Sequence, residues 1–285
     1  MRQWIRPEGP VAVGDVMEAS VVGRVAASAH DGFAVGEYLY GGFGVQEFAL
    51  SDGTGVTKLD PLLAPPTAYL AALGIPGLTA YFGLLDVGRP RDGDTVVVSG
   101  AAGGVGSVAG QLAKVRGCRT IGIAGGTEKC RWIVDDLGFD AAIDYKAEDV
   151  GVGLGQLAPD GVDVFIDNVG GDTLDAVLTH LARGARVVIS GGLSQYNTDQ
   201  PRGPSNYLQL LWARASMTGF LTPDYADRYP EARAELAGLL DEGRLISREQ
   251  IIGGGVAAFP AALPTVFAGA NVGKLILEVS QGRAG

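Results

Sequence analysis

The sequence predicts an α/β fold in which a doubly wound parallel sheet follows a small β module. Between residue 95 and about residue 220, short β-branched segments alternate with segments of helical periodicity. That alternation is typical of parallel strands joined by right-handed crossovers. Residues 1–66 instead hold short strand-like segments separated by glycines, with no helical stripe, which favours a barrel-like β unit. A glycine turn directly follows the first strand of the alternating region.

Composition narrows the classes of function. The chain has 285 residues, of which 47% are hydrophobic and 19% charged, as expected for a globular protein of one large or two ordinary domains. A net charge of −10 argues against nucleic acid or an anionic membrane as a partner. We find no apolar run long enough to span a bilayer and no signal peptide, so we expect a cytoplasmic protein with reduced cysteines.

Cysteine and histidine are scarce. Two residues of each type are too few for a zinc cluster, so no metal is expected. Cys118 and Cys130 lack a CxxC arrangement, and His30 and His180 have no catalytic partner at a recognisable spacing. We interpret all four as structural residues.

The first unit is predicted to contain strands at 21–26 and 45–50, and between them the segment 33–40 is predicted to be a turn that leads into another strand. The pattern becomes helical at 67–73, and Gly74-Ile75-Pro76-Gly77 interrupts it, which places the domain boundary near residue 74. A second helical stretch covers 78–87.

The alternating region yields predicted strands at 95–99, 119–124, 141–144, 162–167, 185–190 and 217–220. Predicted helices lie at 105–115, 128–137, 174–181, 207–214 and 229–240. Together they indicate a parallel, doubly wound sheet. β character returns at 250–252 and 274–279, and we expect the terminal strand to rejoin the first β unit.

The glycine turn carries the first functional signal. After the strand at 95–99, glycines stand at 100, 103, 104 and 106, and a helical stripe follows. Strand, glycine turn and helix are the context of a dinucleotide-binding site, because the glycines let the backbone approach a pyrophosphate and the helix N-terminus faces it. The spacing GxxGxxG departs from the standard form. A tight turn in another kind of α/β protein is the alternative.

The end of the second strand indicates which dinucleotide binds. An NAD site usually has an acid there, about 20 residues past the glycines, but this strand ends in Ala124-Gly125-Gly126. Lys129 and Arg131 follow at the start of the next helix, and a cation without an acid fits the 2′-phosphate of NADP. The alternative is that both are solvated helix charges.

Two further candidates follow later strands. Asn168 ends the segment that begins at Val162, at the sheet edge where such folds bind ligands; its alternative role is to cap the turn. Tyr196 lies in the glycine-hinged loop after the next strand, where its hydroxyl can donate to a substrate oxygen.

Several segments together resemble one family: Gly74 to Leu84, the glycine stretch, Asp167 to Gly171, Ser194-Gln195-Tyr196-Asn197 and Asn271-Val272-Gly273-Lys274. The family is the zinc-independent medium-chain dehydrogenase/reductases, specifically the prostaglandin reductase (leukotriene B4 12-hydroxydehydrogenase) group. The resemblance implies a GroES-like catalytic domain at 1–73, completed by 250–285, and a Rossmann domain at 74–249. It also implies a homodimer.

The resemblance also implies roles for particular residues. Lys129 and Tyr145 match contacts of the 2′-phosphate, and Tyr196 matches the active-site tyrosine. Further cofactor contacts are implied at Gly103, Gly104, Val105, Gly106, Asn168 and Asn271.

The implied reaction is the NADPH-dependent reduction of the C=C bond in α,β-unsaturated aldehydes and ketones. Hydride would pass to the β-carbon, and the Tyr196 hydroxyl would hold the enolate oxygen, so no metal is needed. A quinone reductase on the same fold is the nearest alternative.

The N-terminal region departs from the family pattern. Family members carry additional strands before the segment that matches Met1-Arg2-Gln3-Trp4. We therefore expect a shortened chain with an incomplete catalytic β module and unpaired strand edges. An NADPH-binding protein without turnover is a second alternative on this ground.

Overall fold

The computed structural model describes residues 11–196, 198 and 200–279. Its first unit is a three-stranded antiparallel sheet of β1 (Val21–Arg24), β2 (Tyr38–Gly41) and β3 (Thr57–Leu59). In the register, Val21 lies opposite Gly41 and Tyr38 lies opposite Leu59. β1 confirms the first four residues of the strand predicted at 21–26, and β2 lies at the end of the segment 33–40, where the predicted turn leads into a strand.

The predicted strand at 45–50 is wrong. The segment is irregular, and Phe48 and Leu50 are exposed. Its start makes backbone hydrogen bonds to Met17 and Ala19, but no ladder continues from them among the described residues. An alternating segment becomes a strand only where a partner pairs with it and a core covers its apolar face.

The second unit is a six-stranded parallel sheet in the order β6-β5-β4-β7-β8-β9. The strands are β4 (Thr95–Ser99), β5 (Arg119–Ala124), β6 (Ala141–Asp144), β7 (Val162–Asp167), β8 (Leu181–Ile189) and β9 (Ser216–Gly219). All six were predicted. The chain builds outward from β4 to one side and from β7 to the other, so the strand order reverses between β4 and β7, where such sheets bind ligands.

Helices cover both faces of this sheet. The helices of the described residues are α1 (Ile75–Phe82), α2 (Gly106–Val115), α3 (Thr127–Arg131), α4 (Val150–Leu157), α5 (Gly171–Leu178), α6 (Gln209–Ala213), α7 (Tyr229–Asp241) and α8 (Phe259–Phe267), of which α8 packs against the C-terminal segment Lys274–Leu277 instead. Shorter 3₁₀ segments lie at Pro66–Leu70, Leu193–Gln195, Thr222–Arg228 and Val256–Ala258, and π-helical turns at Gly83–Gly88 and Trp132–Asp136. Within the described ranges, no helix is both long and apolar enough to cross a membrane.

Two of these helices were not predicted. α4 has the sequence VGVGLGQL, and glycine lowers helix propensity. The Asp149 carboxylate caps it by accepting the Val152 N–H. α8 contains Pro264 in its interior. Because proline is unfavourable inside a helix, its presence argues against a helix when only the sequence is considered.

The core lies in two layers, one on each face of the sheet. Val96 and Val98 belong to the layer with Phe82 and Leu112, whereas Val97 belongs to the layer with Phe165. Successive residues of a strand point to opposite faces, so one β-branched run anchors both layers. All three valines are fully buried.

The C-terminal strands form a two-stranded parallel sheet of their own, β10 (Glu249–Ile252) with β11 (Lys274–Leu277). In the described part of the chain, β11 contacts the segment Pro66–Leu70 but does not pair with β1, β2 or β3. The predicted domain limits stay predictions, and their ends at residues 1–10 and 280–285 lie outside the described residues.

Candidate functional site

The glycine turn joins β4 to α2 through a close backbone approach. Gly100 has a φ of +59°, and the Gly103 N–H donates to the Gly100 carbonyl at 2.9 Å. A Cβ atom at Gly106 would collide with that carbonyl and lie 2.8 Å from the Cα of Ala101. Only glycine therefore fits at the first residue of α2. Val105 stands at the N-cap of α2 without a side-chain capping bond.

A C-terminal segment lies against this turn. The Gly273 N–H donates to the Ala102 carbonyl at 2.8 Å, and Gly273 forms a parallel bridge with Gly103. The Asn271 amide donates to the Gly273 carbonyl at 2.8 Å. The structure thus brings Asn271 and the glycine turn together, as expected if both contact one ligand.

Lys274 follows at the same place, and sequence reasoning assigned it no role. A Cβ atom at Gly104 would lie 3.4 Å from the Lys274 Cδ atom, so the lysine stem covers the turn. Burial lowers the pKa of the Lys274 ammonium. Among the described residues, no side chain or carbonyl accepts a hydrogen bond from it. The only sequence signal for a functional role of Lys274 was its position three residues after Asn271.

Lys129 and Tyr145 meet at the carboxyl end of β5. The Lys129 Nζ donates to the Gly269 carbonyl at 2.6 Å. Burial and the neighbouring Lys146 ammonium lower the pKa of Lys129. The ring of Tyr145 lies over Gly125, where a Cβ atom would come within 2.8 Å of it. The two residues predicted to contact a 2′-phosphate are therefore neighbours, and Lys146 adds a second positive charge.

An acid does approach this strand end, from the neighbouring strand. Asp144 ends β6, and its carboxylate accepts the backbone N–H groups of Gly126 at 2.8 Å and Lys146 at 3.1 Å. Inspection of the β5 tip alone missed it. The carboxylate is engaged in holding the turn after β5.

Asn168 links the ends of three strands. Its side-chain NH₂ donates to the Ser99 carbonyl at 2.7 Å, and its oxygen accepts the Ser190 hydroxyl at 2.7 Å. These two hydrogen bonds directly support the alternative role of Asn168, which is to hold the turn. The amide retains one N–H group, and cofactor contact by Asn168 stays a prediction.

Tyr196 lies at the same edge of the sheet. It follows the turn Leu193–Gln195, and its hydroxyl oxygen accepts the Gly192 N–H at 3.2 Å. The side chain is half-buried. The next residue of the predicted motif, Asn197, lies outside the described residues.

Cys118 and the two histidines stand apart from this edge, whereas the Cys130 Sγ lies 3.9 Å from the Ala124 carbonyl at the end of β5. Cys118 and Cys130 are free thiols, and burial raises the pKa of both to about 11. The His30 Nδ1 accepts the Gly32 N–H at 2.9 Å, and the His180 Nδ1 lies 2.9 Å from the Thr179 hydroxyl. The described residues contain no group of three His, Cys, Asp or Glu side chains that could hold a metal ion.

A parallel sheet with a glycine turn at its switch point, and lysines beside the ends of β4 and β5, defines a dinucleotide-binding oxidoreductase. Residues 104–238 match the family described as "Zinc-binding dehydrogenase", and residues 1–59 match the family described as "N-terminal domain of oxidoreductase". The NADPH-dependent curcumin reductase of Escherichia coli (strain K12) is 39% identical over 278 residues, which cover 95% of this chain and 80% of that protein.

Prostaglandin reductase 1 of Mus musculus is 38% identical over 93% of this chain and 82% of that protein. The crystal structure of CurA from Vibrio vulnificus in complex with NADPH has a TM-score of 0.90 and 41% identity, and the match covers 96% of this chain and 82% of that chain. The chain belongs to the medium-chain dehydrogenase/reductase family, among its NADP-dependent oxidoreductases. The predicted fold class, a Rossmann sheet beside a GroES-like β module, is confirmed.

Lys129→Ala is expected to weaken NADPH binding about ten- to a hundredfold and to leave NADH binding nearly unchanged. A charge-assisted hydrogen bond to phosphate contributes ~1.5–3 kcal/mol, and NADH lacks the 2′-phosphate. Fluorescence titration with each cofactor measures both constants. Arg131→Ala, two residues along the same helix, is the control and should bind both as the parent does. Equal weakening for the two cofactors would instead assign Lys129 to the support of the fold.

Proposed function

We propose that this chain reduces the C=C bond of α,β-unsaturated aldehydes and ketones with NADPH. The observation that carries the proposal is the Tyr196 hydroxyl, held by the Gly192 N–H at the sheet edge where this fold binds its cofactor. The curcumin and prostaglandin reductases among the relatives support the same substrate class.

The residues at the sheet edge fit NADPH. The turn at Gly106 has no room for a side chain, as close approach to a pyrophosphate demands. Lys274 is the cation we place beside that pyrophosphate, because its aliphatic stem lies on the turn and no described residue accepts a hydrogen bond from its ammonium. Lys129 and Tyr145 would hold the 2′-phosphate, and Asn168 and Asn271 would make the remaining contacts. When bound, NADPH supplies the hydride.

Tyr196 stabilises the charge that develops during reduction. Hydride addition to the β-carbon moves negative charge onto the carbonyl oxygen, and a positioned hydroxyl donates to it. The Gly192 N–H occupies a lone pair of the Tyr196 oxygen, so the hydroxyl proton is left for the substrate. The same N–H polarises the hydroxyl and strengthens it as a donor. The α-carbon then takes a proton from Tyr196 or from water, which completes the saturated product.

For the assembly we propose a homodimer through β9. This strand is the last of the sheet, and all four of its residues are exposed. Met217 of this strand is an exposed apolar residue, and the segment just before the strand exposes Leu208, Leu211 and Trp212, with Trp212 70% exposed. An open edge pairs readily with a second strand, and a two-fold axis at that edge places each apolar patch against its copy. For location we propose the cytoplasm, where free thiols stay reduced.

The purified chain is expected to oxidise NADPH in the presence of an enone and to yield the saturated carbonyl compound. Product analysis by mass spectrometry and steady-state rates on a matched enone and quinone test this. Faster turnover of the quinone would favour the quinone reductase. Tight NADPH binding without consumption across an enone panel would favour a binding protein without turnover.

Tyr196→Phe keeps the ring and removes the donor. The loss of one oxyanion donor costs ~10²–10³-fold in rate, and the family implies a second donor from the nicotinamide ribose. We therefore expect kcat to fall on the order of 10–100-fold with little change in NADPH affinity. A variant that binds NADPH normally and reduces the enone at the parent rate would remove Tyr196 from the mechanism.

Trp212→Glu is expected to convert the dimer to a monomer, because it buries a charge in the proposed apolar contact. Light scattering coupled to gel filtration should report twice the chain mass for the parent and a single chain mass for the variant. Val152→Glu, at an exposed apolar residue of α4, is the matched control and should stay dimeric. A monomeric parent, or a dimeric Trp212→Glu variant, contradicts this interface.

A further inference from the structure

Asp167 is the last residue of β7, next to the predicted contact residue Asn168, and its side chain is 1% exposed. We propose that Asp167 is a positioning residue: it holds the turn at 168–170 and the Tyr196 loop, residues 190–196, together as one unit and so sets where the Tyr196 hydroxyl stands. The catalytic part of this proposal rests on the function proposed above.

The Asp167 carboxylate organises the turn that follows β7. Its Oδ1 accepts the Ser99 hydroxyl at 2.8 Å and the N–H groups of Val169 and Gly170 at 3.0 Å each. Its Oδ2 accepts the Gly170 N–H at 3.1 Å. Burial raises the pKa of this carboxyl, and the donors oppose the shift. In the described part of the chain no cation pairs with it, so these hydrogen bonds alone stabilise its charge.

The main chain of Asp167 holds the other loop. Its carbonyl accepts the Ser190 N–H at 2.9 Å and the Gly191 N–H at 3.2 Å, and it shares the one proton of the Ser190 hydroxyl, 3.0 Å away, with the Asn168 amide oxygen. These donors are the first residues of the Tyr196 loop. One buried residue therefore contacts both segments, through its side chain on one side and its backbone on the other.

The two segments also bind each other directly. The Leu193 N–H donates to the Asn168 carbonyl at 3.0 Å. The Ser194 N–H and hydroxyl donate to the Val169 carbonyl at 3.0 and 2.6 Å. The Tyr196 loop thus lies on a turn whose shape depends on the Asp167 carboxylate. A shift of that turn moves the carbonyls that carry the loop, and with them Gly192 and Tyr196.

The same arrangement fixes the orientation of the Asn168 amide. The Ser99 carbonyl can only accept, so the NH₂ group must face it, and the amide oxygen then faces the Ser190 hydroxyl. The remaining N–H is a donor, and the group it meets on a ligand must be an acceptor. Asp167 supports this orientation, because its carboxylate also accepts the hydroxyl of Ser99.

A carboxylate is required at this position because donors face both of its oxygens. In Asp167→Asn one oxygen becomes an NH₂ group, which would point its protons at the N–H of Gly170 or at the other donors. The turn must then shift. Asp163→Asn is a matched control. Asp163 also lies on β7, and its carboxylate accepts the N–H of Thr95 on β4 at 2.9 Å. It therefore links β4 and β7 at the opposite end from Asp167.

The test is a double-mutant cycle with Tyr196→Phe. A misplaced group costs on the order of 10²-fold, so Asp167→Asn is expected to lower kcat about 10–100-fold in the parent. In the Tyr196→Phe background the further loss should be less than about threefold, because little remains to misplace. Asp163→Asn should lower kcat little in either background. A loss from Asp167→Asn of the same size in both backgrounds would overturn the proposal, as would parent-like turnover.

Hydrogen exchange supplies a readout that does not need activity. Asp167→Asn is expected to speed exchange of the amides of Val169, Gly170, Leu193 and Ser194 together, whereas Asp163→Asn leaves them protected. Unchanged protection of Leu193 and Ser194 in a folded Asp167→Asn variant would separate the two loops and refute the coupling. If the parent reduces no enone, the proposed function fails, and the exchange experiment still decides whether Asp167 joins the loops.

Discussion

The close approach of α2 to the end of β4 is the constraint on which the rest of the structure depends. At Gly106 the helix begins so near the Gly100 carbonyl that no side chain fits. The turn between them therefore stays flat enough for Gly273 to pair with it through the Ala102 carbonyl. A bulkier turn would displace Asn271 and Lys274 from the sheet edge. The candidate site would then lose the whole C-terminal segment that lies against the turn, and not only one contact.

The sheet could be predicted because its strands are locally distinctive. β5 and β7 have the predicted bounds, since a strand buried on both faces is apolar along most of its length. The errors arise where structure depends on distant partners. The segment 45–50 alternates like a strand but pairs with no neighbouring strand among the described residues. The glycines of α4 hide a helix that is stabilised by packing of Gly153 against Ile143.

Much of the candidate site followed from topology, because residues at the carboxyl ends of parallel strands must meet at one edge. The family resemblance supplied Tyr145, and that reasoning placed Lys129 and Tyr196 there. It could not find Lys274 or Lys146. Lys274 is identified by its burial at the glycine turn and Lys146 by its proximity to Lys129, and neither property is visible in the local sequence. Nor could it orient the Asn168 amide, since Ser99 and Ser190, on two other strands, decide which way it faces.

The hydrogen bond from Lys129 to the Gly269 carbonyl and the pairing of Gly273 with the glycine turn have a consequence for biosynthesis. Both contacts join the sheet to a segment that leaves the ribosome long after β4 and β5. A nascent chain can form the sheet core first, since domains fold as their residues emerge. The contacts of Gly269 with Lys129 and of Gly273 with the glycine turn form only after residues 269–274 have been synthesised. The sheet edge at the proposed cofactor site is therefore among the last parts of the molecule to reach its final structure.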